Sequence, residues 1–149
     1  MATLPIFLAA AAISGLSSLV DPPPLVSIVD DDDSVREATS GLLESYGYTT
    51  AVFASAEEFL QSTQLASTSC LVTDLRMPGA SGIELQKRLT DSGHRIPTIV
   101  LTAHPDEHMR SAAMKMGALA FLTKPVSEQR LIASLEGALA NSQTAKPAH

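Results

Sequence analysis

At 149 residues the chain has room for one domain with a sizeable core and not comfortably for two. Its hydrophobic share of 45% is ordinary for a globular protein, and a net charge of −6 with ten scattered basic residues argues against binding nucleic acid through a basic patch. The single cysteine, Cys70, excludes a disulfide within the chain; lying in an apolar run, it reads as a buried thiol that fits a reducing, cytoplasmic compartment.

Residues 4–20 carry no charge and are rich in Ala, Leu and Ile. No Lys or Arg precedes Arg36, so the positive start of a signal peptide is missing. Ser14, Gly15, Ser17 and Ser18 dilute the run, which sits at the short limit of the roughly 20 residues a membrane span needs. Residues 1–24 are read as an appended extension ending in the stiff Asp21-Pro22-Pro23-Pro24 break, with membrane tethering through residues 4–20 as the open alternative. The domain is expected over residues 25–140, followed by a polar tail, 141–149, that frays.

Leu25-Val26-Ser27-Ile28-Val29 has the apolar, β-branched character of a buried strand and runs straight into Asp30-Asp31-Asp32-Asp33. Ser34 with Glu37 offers a capping box for a first helix, on which Val35, Ala38, Leu42 and Tyr46 share a face and which Gly47 stops. Residues 49–53 form a second strand. Ser55 with Glu58 opens a short helix carrying Ala56, Phe59 and Leu60, and a polar loop spans residues 61–69. The third strand, Cys70-Leu71-Val72-Thr73-Asp74, ends in a carboxylate just before Met77-Pro78-Gly79 turns the chain. Ser81 with Glu84 begins a helix bearing Ile83, Leu85 and Leu89, closed by Ser92-Gly93. Residues 97–102 make the fourth strand. After His104-Pro105-Asp106, a helix places Met109, Ala112, Ala113 and Met116 on one face, with Gly117 beyond it. Residues 118–123 form the fifth strand, and Ser127 caps a last helix with Leu131, Ile132, Leu135, Ala138 and Leu139 on its apolar side.

Five strands alternating with helices, without hairpin turns or repeats, imply an α/β fold: a doubly wound parallel sheet with helices on both faces. Parallel strands turn all their carboxyl ends to one rim, where ligands of such sheets bind. Four of the five strands deliver a reactive side chain there: Asp30 and Asp31, Asp74, Thr102 and Lys124. Three gathered carboxylates repel and call for a hard cation, and an open, partly hydrated oxygen site suits Mg²⁺. Lys124, expected as an exposed rim lysine with little weight in stability, supplies positive charge for a phosphate oxygen, and Thr102 a hydroxyl donor. Asp74 is then left as the carboxylate nucleophile, forming an aspartyl phosphate.

Val29-Asp30-Asp31-Asp32, Thr73-Asp74-Leu75-Arg76-Met77-Pro78-Gly79, Leu101-Thr102-Ala103 and Thr123-Lys124-Pro125 together resemble the receiver (response regulator) domain of two-component systems. The Thr-Asp-Leu-Arg-Met-Pro wording is similar to receivers of the nitrogen-fixation regulator type. The resemblance implies a flavodoxin-like five-stranded sheet in order 2-1-3-4-5. It makes Asp74 the phosphoacceptor, fed by a phosphohistidine on a sensor histidine kinase. Asp31, Asp74 and the backbone carbonyl of Arg76 would hold Mg²⁺ directly, and Asp30 through water. Lys124 would pair with the phosphoryl group, and its bond to Pro125 would be cis. Thr102 and Phe121 would act as switch residues, Phe121 having plain core as its alternative reading. An output protein partner would read the 107–140 surface; a phosphorylation-dependent homodimer is allowed, and no nucleic acid is bound by this chain. Arg76 and His104 border the path of the hydrolytic water, and in receivers such positions tune loss of phosphate. With no DNA-binding domain after Asn141, the chain reads as a stand-alone receiver or a fragment.

Two rivals remain. A haloacid-dehalogenase-type phosphatase would use Asp30 and Asp32 with Thr102 and Lys124, but it needs a further acid pair after the lysine and leaves Asp74 idle. A phosphorylation-independent docking module would have no need of the complete acid, Thr and Lys set.

Overall fold

The computed structural model describes residues 23–145, with side chains through residue 140. The apolar run at residues 4–20 lies outside the described residues. Short apolar strands separated by helices must pair through crossovers, which puts them in parallel. The strands are β1 (Leu25–Val29), β2 (Thr49–Phe53), β3 (Cys70–Asp74), β4 (Thr98–Thr102) and β5 (Ala120–Thr123). They form one sheet in the order β2-β1-β3-β4-β5, every pair parallel. The helices between and after them are α1 (Asp33–Ser45), α2 (Ala56–Leu60), α3 (Gly82–Asp91), α4 (Glu107–Lys115) and α5 (Glu128–Ala145), with a 3-10 turn at Leu65–Ser67 inside the expected loop.

Strand side chains alternate between two layers, as a period of two requires. Val26, Ile28, Cys70, Val72, Ile99, Leu101 and Leu122 pack with Leu43 of α1 and with Leu131, Ile132 and Leu135 of α5. Val29, Ala51, Phe53 and Leu71 meet Phe59 of α2 and Leu85 and Leu89 of α3 on the opposite layer. Val100 packs with Ala113 and Ala118 around Leu75, and half-buried Phe121 leans on this third group. The central strands β3 and β4 are buried along their whole length. Burial pushes the Cys70 thiol up to about 12, so it is a core group and not a nucleophile. Among the described residues no helix is long and apolar enough to cross a membrane.

Local signals differ from expectation in five places. The N-cap of α1 is Asp32, not Ser34: the Asp32 carboxylate accepts from the backbone N–H groups of Ser34 and Val35, and its charge suits the positive end of the helix. The buried stripe of α1 centres on Thr39 and Leu43, while Ala38 and Tyr46 face solvent. Ser55 caps α2, but Glu58 reaches back to the N–H of Ala54 at 3.4 Å and leaves the box open. The Ser81–Glu84 box does close. On α4 only Ala113 is fully buried, and Met109 is 37% exposed. Finally, α5 continues past Asn141 to Ala145, a stretch with no Gly or Pro to stop it.

One glycine decides how the chain leaves the sheet. After β3 the Leu75 N–H still donates to Leu101 O at 2.8 Å, and the Gly82 N–H then returns to Leu75 O at 2.8 Å. The start of α3 therefore lies on the end of β3. A Cβ on Gly82 would stand 2.6 Å from the carbonyl oxygen of Asp74 and 3.2 Å from Leu75 Cα, both backbone atoms that cannot step aside. Gly82→Ala should thus cost roughly 1–3 kcal/mol through overpacking. Gly41→Ala, in the exposed middle of α1 with open space around it, should instead stabilise by roughly 0.5–1 kcal/mol. Urea denaturation of the two variants checks this, and equal effects would remove the close approach from the account.

Candidate functional site

The parallel register brings the ends of β1, β3, β4 and β5 to one rim, and the chemistry collects there. Asp30, just past β1, is only 2% exposed and Asp74, the last residue of β3, 8%. Carboxylate oxygens of Asp30, Asp31 and Asp74 all lie within 4.8 Å of one another. Lys124, just past β5, places its Nζ 2.8 Å from Asp30 Oδ2 and 3.0 Å from Asp74 Oδ1. Thr102, at the end of β4, is buried; its hydroxyl oxygen accepts from the His104 N–H at 3.1 Å, and its carbonyl accepts from the Lys124 N–H at 2.7 Å. Asp30, Asp31, Asp74, Thr102 and Lys124 are therefore brought to one end of the sheet, as the spacing of the strands implied.

Electrostatics follows from the burial. Desolvation raises the Asp74 pKa above its ordinary 3.8; Lys124 pulls it back, and Asp30 and Asp31 push the same way as burial. For Lys124, burial acts to lower the pKa, yet hydrogen bonds and charge from Asp30 and Asp74 outweigh it and raise the value above 10.5. The ammonium thus stays charged because two carboxylates hold it. Lys124 is accordingly not the exposed rim lysine expected from sequence: its side chain is 18% exposed and bridges two nearly buried anions.

Three carboxylates against one ammonium leave two net negative charges on an all-oxygen donor set. That complement suits a hard divalent cation, and the fit to Mg²⁺ rests on it. Asp31 is exposed and makes no hydrogen bond or ion pair among the described residues. The Asp74 Oδ2 oxygen likewise has no hydrogen-bond donor among the described residues, Lys124 lying against Oδ1.

The remaining expected residues stand at the margin. Arg76 is exposed in the loop after β3, its side chain without a partner among the described residues. His104 is exposed beyond β4. The Lys124–Pro125 bond is cis. Asp32, the second acid of the phosphatase reading, is engaged as the α1 cap; the Val35 N–H foremost, with that of Ser34, holds its carboxyl below the ordinary range. It is not among the acids that converge with Asp74.

Sequence reasoning missed three supports. Arg36 reaches from α1 to the carbonyl of Asp30 at 2.6 Å and pairs with Asp33. Glu57 of α2 accepts from the Ala80 N–H at 3.2 Å, tying down the loop after β3. Gly82 allows the close approach described above. The Asp33–Arg36 spacing was a readable helical pair; the contacts to Asp30 and Ala80 join separate elements and leave no local pattern.

The response regulator receiver domain model matches residues 26–136. The response regulator protein TodT of Pseudomonas putida is 38% identical over 126 residues, which cover 85% of this chain and 56% of TodT. The transcriptional regulatory protein FixJ of Azorhizobium caulinodans is 43% identical over 117 residues, covering 78% of this chain and 56% of that one. The chain thus spans about half the length of these curated relatives. The solved structure of FixJ-N matches with a TM-score of 0.73 at 38% identity, over 80% of this chain and 96% of that one. The resemblance to nitrogen-fixation regulators and the 2-1-3-4-5 sheet order both hold, and the phosphatase and docking-module rivals are not favoured. With the match running from the second residue of β1 into α5, this chain belongs to the response regulator receiver domain family of two-component signalling.

Proposed function

We propose that residues 25–140 act as a Mg²⁺-dependent phosphoacceptor with Asp74 as the nucleophile and a sensor histidine kinase as the donor. One observation carries the reading: a single ammonium, Lys124 Nζ, lies 2.8 Å from Asp30 and 3.0 Å from Asp74, beside a third carboxylate within 4.8 Å. In the proposed step Asp74 Oδ2 attacks phosphorus, and the phosphorus–nitrogen bond breaks with its electron pair going to the donor imidazole, which takes up a proton. A mixed anhydride is left on Asp74. Lys124, already between Asp30 and Asp74, would turn toward the oxygens of the incoming group, and the Thr102 hydroxyl would donate to them. Asp31, Asp74 and the Arg76 carbonyl would hold Mg²⁺ directly and Asp30 through water; the ion would neutralise charge on the transferring oxygens. Phe121, register partner of Val100 and packed against the cluster of Leu75, Val100, Ala113 and Ala118, would move with Thr102 and alter the 107–140 surface that an output partner or a second copy reads.

With Mg²⁺ and acetyl phosphate, intact mass and site mapping after borohydride trapping should place one phosphoryl group on Asp74 and none in Asp74→Asn. Label on Asp30 would favour the phosphatase. Burial raises the Asp74 pKa of the metal-free protein above 3.8, so an NMR titration without Mg²⁺ should find its carboxyl protonating above an ordinary carboxylate, and added Mg²⁺ should lower that midpoint.

Lys124→Met strands two nearly buried carboxylates and should cost roughly 2 kcal/mol, less than a fully buried pair because Lys124 is partly exposed. Linkage fixes its pH dependence. A lysine whose folded pKa exceeds 10.5 contributes its stability in full below that value and loses it as pH rises through the folded pKa. The gap between wild type and Lys124→Met should therefore be wide from neutral pH to 10.5 and close above it, as read by urea melts.

Arg76, two residues beyond Asp74, and His104, two beyond Thr102, are both exposed, which supports assigning them to control of phosphate loss. Arg76→Asn replaces a bulky cation with an amide that can orient water and should speed loss of phosphate several-fold. Unchanged decay there and in His104→Ala would remove both residues from the mechanism.

A further inference from the structure

Asp30 is held by four different parts of the molecule. Its N–H donates to Phe53 O of β2 at 3.1 Å, and its Oδ1 accepts from the Asp32 N–H at 2.9 Å. Its Oδ2 meets Lys124 at 2.8 Å, and its carbonyl accepts from Arg36 Nη1 at 2.6 Å. Asp31 stands in contrast. Its carboxylate joins the acidic cluster, yet no hydrogen bond or ion pair among the described residues holds it. What aims Asp31 is then the plane of the peptide that joins it to Asp30, because a planar amide moves as one body. The atom of that plane gripped by a side chain is the Asp30 carbonyl oxygen, and the grip is Arg36.

Arg36 suits this task. Its side chain is 15% exposed, and its fork is also paired with Asp33, so the guanidinium is fixed at both ends of the acidic loop. The backbone N–H of Arg36 itself donates to Asp32 O at 2.9 Å, which sets the arginine in the first turn of α1. The loop 30–33 is thereby closed on itself from outside the cation site.

We infer that Arg36 is a positioning residue that presents Asp31 to the divalent cation by locking the Asp30 carbonyl. The inference rests on the phosphoacceptor reading, and it makes a prediction opposite in sign to simple electrostatics. Were Arg36 only a nearby positive charge, removing it would strengthen the pull of the acids on a cation. As a positioning residue, its removal should weaken binding despite the more negative field.

Calorimetric titration of the unphosphorylated chain with Mg²⁺ alone separates the two. Arg36→Met should weaken Mg²⁺ binding about tenfold, a typical effect for a group that orients a metal ligand. Arg36→Lys keeps the charge without the fork and should fall between it and wild type. Circular dichroism identifies whether each variant is folded, and Arg36→Lys retains the test should Arg36→Met unfold. Unchanged or tighter binding in a folded variant overturns the inference while leaving the phosphoacceptor reading in place. A wild-type chain that binds no Mg²⁺, in the same way as Asp31→Ala, overturns both.

Discussion

A lysine ammonium lodged between two nearly buried carboxylates is the interaction on which the rest of this molecule depends. Asp30 and Asp74 leave water at a cost that neither could meet alone. Lys124 compensates them together, and they in turn hold its proton against the desolvation that would remove it. The arrangement is under-compensated by design of the residue types: Asp31 adds a third carboxylate without a partner. A site that carries excess negative charge at rest suits a hard divalent cation.

That interaction is possible only because the sheet is parallel. Asp30, Asp74 and Lys124 are far apart in the chain and meet because β1, β3 and β5 all end on the same side, with β3 next to β1 and β4 between β3 and β5. The strand interiors are mostly apolar, with Ser27 and Thr73 as buried exceptions, and the charged residues appear where the strands stop. The core therefore fixes where the rim lies, and the rim residues need only short reaches to touch. Thr102 shows the economy of this. Its backbone carbonyl closes the ladder to Lys124, while its hydroxyl stays at the edge of the site.

Around the rim, a second group of residues holds the loops in register. Gly82 lets α3 begin against the carbonyl of Asp74, Glu57 ties the loop after β3 through Ala80, and Arg36 grips the carbonyl of Asp30. Each acts on backbone atoms rather than on the reactive side chains. On α3, Gln86 is buried and donates to Ala113 O of α4 at 3.3 Å, with its Oε1 left without a partner among the described residues. This polar contact joins the helix that follows β3 to the one that bears the exposed Met109 and Met114.

The amino-acid sequence by itself determined the alternation of strands and helices, their parallel arrangement and the residues that crowd the rim. These are written in short-range patterns: apolar runs of strand length, capping residues, helix-stopping glycines and carboxylates placed where apolar runs end. The start and the buried stripe of α1 were read less well, because Asp32 outcompeted Ser34 as a cap and because Leu43, not Tyr46, meets the core; α5 runs on past Asn141 because no Gly or Pro stops it. Only the tertiary structure decided the rest. Whether Lys124 is an exposed charge or a buried bridge depends on two residues from other strands, and sequence spacing carries no information on its burial. The roles of Arg36, Glu57 and Gly82 depend likewise on backbone atoms of neighbouring elements, which any residue type can supply. Side-chain chemistry is legible in a sequence; the backbone partner that a side chain finds across the fold is not.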